Sequence, residues 1–189
     1  METIPTIFQR DPEHMRQLLR QPHPDCAWVF AGEGVATRKY DGTACLVTRE
    51  GILYRRLMVR AGRDYPEGYI VAEYLDDKVL GWAMCNPADP ADQWHFEAFV
   101  HAKPHWLSRV GTYELLGPKV QGDPEGVGSP HVLVQHATAE PYPDVPRDYD
   151  GLRAWLIPRD IEGLVFHHDD GRMGKITKRD FGLTRKDHA

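Results

Sequence analysis

Lys39-Tyr40-Asp41-Gly42 lies between two strand-like runs, residues 35–39 and 43–48. Far downstream, Ile161-Glu162-Gly163-Leu164-Val165-Phe166 and Lys175-Ile176-Thr177-Lys178 follow it in order. A lone Lys-x-Asp-Gly is common by chance. The ordered set is more informative, because it supplies an amine nucleophile, carboxylates suited to a metal ion or sugar hydroxyls, and a second group of cations. Lysine is protonated near neutrality, with a reference pKa of about 10.4, so an attacking lysine must be helped to lose its proton. Nearby cations and partial burial both favour the neutral amine. The same cations offset phosphate charge and the charge that develops at phosphorus. The chemistry these residues suit is attack by Lys39 on the α-phosphate of a nucleoside triphosphate.

The elements that must position these groups are short. Asp11-Pro12-Glu13 predicts a helix reaching Leu19 or Arg20, with an N-cap oxygen and a proline in its first turn. Residues 26–30 read as a strand and Gly32-Glu33-Gly34 as a turn. Runs 43–48 and 52–59, separated by Glu50-Gly51, predict a hairpin, and runs 69–75 and 79–84 predict another. Residues 94–102 suit either strand or helix. Strands are expected at 112–116 and 132–135, a glycine-rich loop at 117–129 and a helix at 148–156. The chain closes with strands 164–168 and 173–178 around Asp169-Asp170-Gly171-Arg172. Many short strands, turns and few helices predict an α+β fold of mostly antiparallel sheets, organised as a single domain over residues 1–189.

The chain's 189 residues are 41% apolar and 27% charged, as in an ordinary water-soluble domain. No apolar run approaches the ~20 residues of a membrane span, and the first ten residues lack the pattern of a secretion signal. The expectation is a cytoplasmic protein with no membrane partner, monomeric by preference. Cys26, Cys45 and Cys85 are too few and too scattered for a disulfide framework, and no Cys-x-x-Cys pair points to zinc. The net charge of −5 excludes a protein that coats nucleic acid by bulk electrostatics. Local basic clusters remain: Arg49, Arg55, Arg56, Arg60 and Arg63, then Lys175, Lys178, Arg179, Arg185 and Lys186. There is no Gly-x-x-x-x-Gly-Lys loop and no Gly-x-Gly-x-x-Gly.

From about Val35 to Leu183 the ordered motifs resemble the covalent nucleotidyltransferases, the superfamily of ATP-dependent nucleic-acid ligases and capping enzymes. Within it the chain looks most like the small RNA ligases, a group that includes the animal 5′–3′ RNA ligase and its phage and bacterial relatives. The resemblance implies a ligase-type adenylation domain, with ATP and Mg²⁺ (or Mn²⁺) as cofactors and RNA ends as partners. It makes Lys39 the lysine that becomes adenylylated, with Asp41 and Gly42 beside it and the backbone at Thr37 and Arg38 against the adenine edge. Arg56, favoured over Arg55, matches an arginine contacting nucleotide or phosphate; adjacent strand residues face opposite ways, so the other of the two is expected in solvent. Tyr113-Glu114 resembles the third motif, with Glu114 toward the ribose, and the wording of residues 117–124 continues the likeness. Glu97 is a further candidate acid. Glu162-Gly163 matches the fourth motif, with Glu162 as the metal ligand. Lys175 and Lys178 match the fifth, although relatives show Lys-x-Lys where this chain has Lys-x-x-Lys. His167 and His168, adjacent on a strand, cannot face one metal together.

Eleven residues follow Lys178, too few for the oligonucleotide-binding barrel and basic sixth motif of DNA ligases and capping enzymes. The expectation is therefore an ATP-dependent RNA ligase that joins 5′-phosphate and 3′-hydroxyl ends through lysyl-AMP. The alternatives are a capping or DNA-joining enzyme of the same superfamily, or a non-catalytic module that binds RNA ends.

Overall fold

The computed structural model describes residues 2–102 and 110–185. In chain order, β1 (Phe8–Arg10), β2 (Leu18–Pro22) and helix α1 (Ala27–Phe30) precede β3 (Val35–Lys39) and β4 (Thr43–Val47). Next come β5 (Leu53–Arg60), β6 (Ile70–Leu75), β7 (Lys78–Met84), helix α2 (Gln93–Ala102) and β8 (Gly111–Leu116). The chain ends with β9 (Val132–Gln135), β10 (Pro141–Tyr142), helix α3 (Tyr149–Leu156), β11 (Gly163–His167) and β12 (Met173–Thr177). The fold is α+β with few helices, and its sheets are mostly antiparallel. No helix among the described residues is long and apolar enough to cross a membrane.

The chain divides into two compact units, one holding Asp41–Thr138 and the other Ile4–Tyr40 with the chain from Ala139 onward. In the first, a six-stranded sheet runs β6-β7-β5-β4-β8-β9. Alternating residues of its central strands, Cys45 and Val47 on β4 and Tyr113 and Leu115 on β8, are buried together with Leu53, Cys85 and Leu133. Helix α2 covers them with Ala98, and Trp94, Phe96 and Phe99 pack at the margin. The apolar run 93–102 is helical because its entry is capped: Asp89 accepts from the Ala91 N–H, and Pro90 opens the 3-10 turn that leads into it.

In the second unit the sheet order is β10-β3-β11-β12. Its inner face buries Ala36, Leu164, Phe166 and Ile176 against Ile7, Phe8, Cys26, Trp28 and Val29. Helix α3 adds Leu152 and Leu156, and Asp148 caps it by accepting from the Gly151 N–H at 2.8 Å. Residues 5–7 run along the free edge of β12, where Ile7 N–H donates to Lys175 O at 2.9 Å and Lys175 N–H to Pro5 O at 2.8 Å.

Two local expectations are corrected. Residues 11–17 form the loop of the β1–β2 hairpin, not a helix. Asp11 Oδ1 does accept from the Glu13 N–H at 2.9 Å, but that bond serves a turn as well as a helix cap. Residues 26–30 are helical rather than extended. A short apolar run carries no period of its own, and Pro24 with the His23 cap starts a helical turn just before it.

Phe166 is fully buried, whereas Val165 lies on the opposite face of the same strand. Phe166→Ala should cost about 3–5 kcal/mol through the cavity it leaves, and Val165→Ala under about 1 kcal/mol. Urea denaturation midpoints of the two variants check this; equal losses would contradict the assigned faces.

Candidate active site

β11 pairs with β3 on one side and β12 on the other, so that Lys39 lies opposite Gly163 and Gly163 opposite Thr177. Two residues along, Thr37, Val165 and Lys175 form the next cross-strand row. Because strand side chains alternate, Thr37, Lys39, Val165, His167, Lys175 and Thr177 share the outer face, while Ala36, Leu164, Phe166 and Ile176 fill the core. Gly163 is required by close approach: a Cβ there would stand 2.2 Å from the Ile176 carbonyl oxygen. The missing side chain lets β11 start hard against β12 and leaves Glu162 at the head of the strand.

Lys39 Nζ donates to a Glu162 carboxylate oxygen, and each side chain is about a quarter exposed. Lys175 is half-buried, flanked by β11 and by residues 5–7. Burial lowers its pKa below the ordinary lysine range, and the Lys39 charge lowers it further; Asp180 and Glu162 oppose both effects. Asp180 is itself held by Arg10 at 2.5 Å and by the Thr177 backbone and hydroxyl. Thr37 Oγ1 shares a hydrogen bond with His167 Nε2 at 3.0 Å. This face therefore holds two lysines, the Glu162 carboxylate, the hydroxyls of Thr37 and Thr177, and an imidazole.

Lys178 does not join them. It lies beyond β12 in a 3-10 turn, is 2% exposed, and its Nζ donates to the Ile157 and Arg185 carbonyls. The extra residue of Lys-x-x-Lys carries it out of the strand, and it serves as a buried tie rather than a phosphate ligand. Arg38 interacts with Glu140 at 3.7 Å and with the Tyr40 ring. The remaining predicted residues belong to the other unit. There, the Asp41 N–H donates to Glu125. Gly42 abuts β8, where a Cβ would meet the Leu115 carbonyl oxygen at 2.3 Å.

Arg56 lies over the Trp82 ring at 4.6 Å, and burial lowers its pKa. Arg55 is not the solvent-facing residue expected; its guanidinium reaches Asp92, which is 2% exposed, at 2.8 Å. Glu114 is bound to His136 Nε2 at 2.9 Å. Glu97 accepts from the His131 N–H at 3.1 Å, a structural role within α2. Lys186 lies outside the described residues.

Sequence reasoning missed His167. Adjacency to His168 speaks only against a shared metal, whereas the parity of His167 on β11 puts it on the Lys39 face. It also missed Arg10 and Asp180, distant in sequence and joined only by the fold.

No protein-family model matches the chain. A protein named RNA ligase 1 from Danio rerio is 34% identical over 79 residues. The match covers 38% of this chain and 24% of that protein.

Because folding lowers the Lys175 pKa, the unfolded chain binds more protons between that pKa and the reference value of 10.5. Stability should rise with pH through that window. Lys175→Met should flatten the rise and raise stability at neutral pH. Urea unfolding measured from neutral pH to pH 10.5 checks this; an unchanged slope would contradict the assigned environment.

Proposed function

We propose that this chain is an ATP-dependent RNA ligase with a nucleotidyltransferase-type adenylation fold, joining 5′-phosphate to 3′-hydroxyl RNA ends through lysyl-AMP at Lys39. The observation that carries this reading is the outer face of β3, β11 and β12, where the Lys39 amine meets the Glu162 carboxylate with Lys175 close by. A structural lysine has no need of a second, half-buried lysine. A lysine that attacks a polyphosphate does, because a second cation offsets the phosphate charge. The partial likeness to a protein named RNA ligase 1 supports RNA as the substrate.

Lys39 Nζ, once neutral, attacks the α-phosphorus of ATP. The N–P bond forms, the bond to the β-phosphate oxygen breaks, and pyrophosphate leaves. Glu162 is the proton acceptor in direct contact with Nζ. Lys175 balances charge on the phosphates, and Thr37 and His167 line the same face. The AMP then passes to the RNA 5′-phosphate, breaking the N–P bond and forming a phosphoanhydride. Attack by the 3′-hydroxyl on that 5′-phosphorus makes the phosphodiester and releases AMP.

A single, partly exposed carboxylate fits Mg²⁺ or Mn²⁺, since Mg²⁺ sites use one or two protein carboxylates and keep several waters. Glu162 would hold the ion, which when bound supplies neutralisation of phosphate charge.

Lys39→Ala and Lys39→Arg should both abolish transfer of label from [α-³²P]ATP while remaining folded by circular dichroism, because a guanidinium stays protonated. Labelling of either folded variant would remove Lys39 as the nucleophile. Glu162→Ala and Lys175→Ala should each lower sealing by roughly 100-fold, the scale of losing one transition-state charge contact. Near-normal sealing by either would remove that residue from the reaction.

The substrate is tested by offering single-stranded RNA, nicked RNA and nicked DNA side by side. RNA should be sealed faster, and activity should fall steeply with salt as phosphate contacts from the exposed Arg49, Arg60 and Arg63 weaken. Faster sealing of nicked DNA than of every RNA would overturn the RNA assignment while leaving lysyl-AMP chemistry intact.

A further inference from the structure

The first unit contains a second cluster of chemically capable side chains that ligation does not use. Cys85 follows β7 directly, Asp92 ends the 3-10 turn before α2, and His95 lies in the first turn of α2. The intervening loop is tied down: Asn86 Oδ1 accepts from the Ala88 N–H, and Asp92 Oδ2 accepts from the Asn86 N–H, both at 2.9 Å. Cys85 is 6% exposed, Asp92 2%, and the His95 side chain 12%. One donor atom from each of the three lies within 4.8 Å of the others, with Asp92 Oδ1 and His95 Nδ1 4.0 Å apart.

Their hydrogen bonding is incomplete. Asp92 Oδ1, His95 Nδ1 and the neighbouring Arg55 Nε are buried and have no hydrogen-bond partner. Arg55 Nε and Asp92 Oδ1 stand 2.8 Å apart as an ion pair, yet that contact satisfies neither as a hydrogen bond. Buried polar atoms are rarely left this way, because each loses its hydrogen bonds to water without replacement. One bound cation would engage Asp92 Oδ1 and His95 Nδ1 together with the Cys85 sulfur.

We propose that Cys85, Asp92 and His95 form a structural site for a transition-metal cation, Zn²⁺ by preference, that fixes the β7–α2 connection. The donor set selects the ion. Thiolate and imidazole favour Zn²⁺ over Mg²⁺ or Ca²⁺, which take oxygen ligands. Donors around one tetrahedral Zn²⁺ lie roughly 3.5 Å apart, so the observed spacing closes with small side-chain movements. Three protein donors leave a fourth position for water. Arg55 Nε, 2.8 Å from the same Asp92 Oδ1, and the Asn86 N–H on Oδ2 then hold the carboxylate in place, in the manner of groups that orient ligating carboxylates. The cysteine spacing that points away from zinc concerns thiol pairs only and is blind to this mixed set.

Zinc content of the purified full chain, by plasma mass spectrometry after chelator-free gel filtration, should be about one ion per chain. Chelator-stripped protein titrated with Co²⁺ should develop tetrahedral d–d bands and a thiolate-to-cobalt charge-transfer band. Cys85→Ser should lose the charge-transfer band, and His95→Gln should weaken Co²⁺ binding by at least ~10-fold. Cys45→Ser, altering a buried thiol outside the cluster, should keep both. A zinc-free protein whose Co²⁺ spectrum lacks the thiolate band would overturn the proposal, as would a band surviving in Cys85→Ser. Should Cys85→Ser fail to fold, the wild-type stoichiometry and spectrum and the His95→Gln titration still decide.

Discussion

The register of β11 between β3 and β12 is the constraint on which the rest of the candidate site depends. Strand side chains alternate, so a slip of one residue in either pairing would turn Lys39 or Lys175 into the core and bring Leu164 or Ile176 into solvent. Burial of Ala36, Leu164, Phe166 and Ile176 sets that register from below. Gly163 sets it from within, because no side chain fits between β11 and the Ile176 carbonyl. The segment at residues 5–7 closes the edge of β12 and holds the Lys175 backbone from both sides. Groups more than a hundred residues apart thereby meet on one face without any helix or long loop to carry them.

Electrostatics on that face follow from the packing. Two half-buried lysines share it with a single carboxylate in contact with Lys39. Burial and the charge of Lys39 both press the Lys175 ammonium toward the neutral form, while Glu162 and Asp180 hold it back. Glu162 is engaged by the Lys39 amine yet remains partly open to solvent. Lys178 shows the contrasting case: one residue further along, its ammonium is enclosed by carbonyl oxygens and contributes to the fold.

Much of this was legible in the chain. The strands around Lys39, Glu162 and Lys175 are short runs bounded by glycine- and aspartate-containing turns, which is a readable strand signal. The Glu162-Gly163 pair stood out as a motif, but the close approach of Gly163 to the Ile176 carbonyl is set by the pairing of β11 with β12. Three features were not legible. The Asp11-Pro12-Glu13 start is shared by turns and helices, and only the pairing of Phe8–Arg10 with Leu18–Pro22 selects the turn. The apolar run 26–30 has no period long enough to separate strand from helix. Arg55 belongs to an ion pair with Asp92, which is made by the fold rather than by proximity in the chain. Motif order identified Lys39 and Lys175; strand parity, carried from His167 to Thr37 across β11 and β3, would have found His167 too.

The most direct measurement is the intact mass of the protein after incubation with ATP and Mg²⁺, followed by peptide mapping. Lys39 as a covalent nucleophile predicts a gain of one AMP, located on the peptide containing Lys39 and removed by added pyrophosphate. An unchanged mass, or AMP on a different lysine, would contradict it.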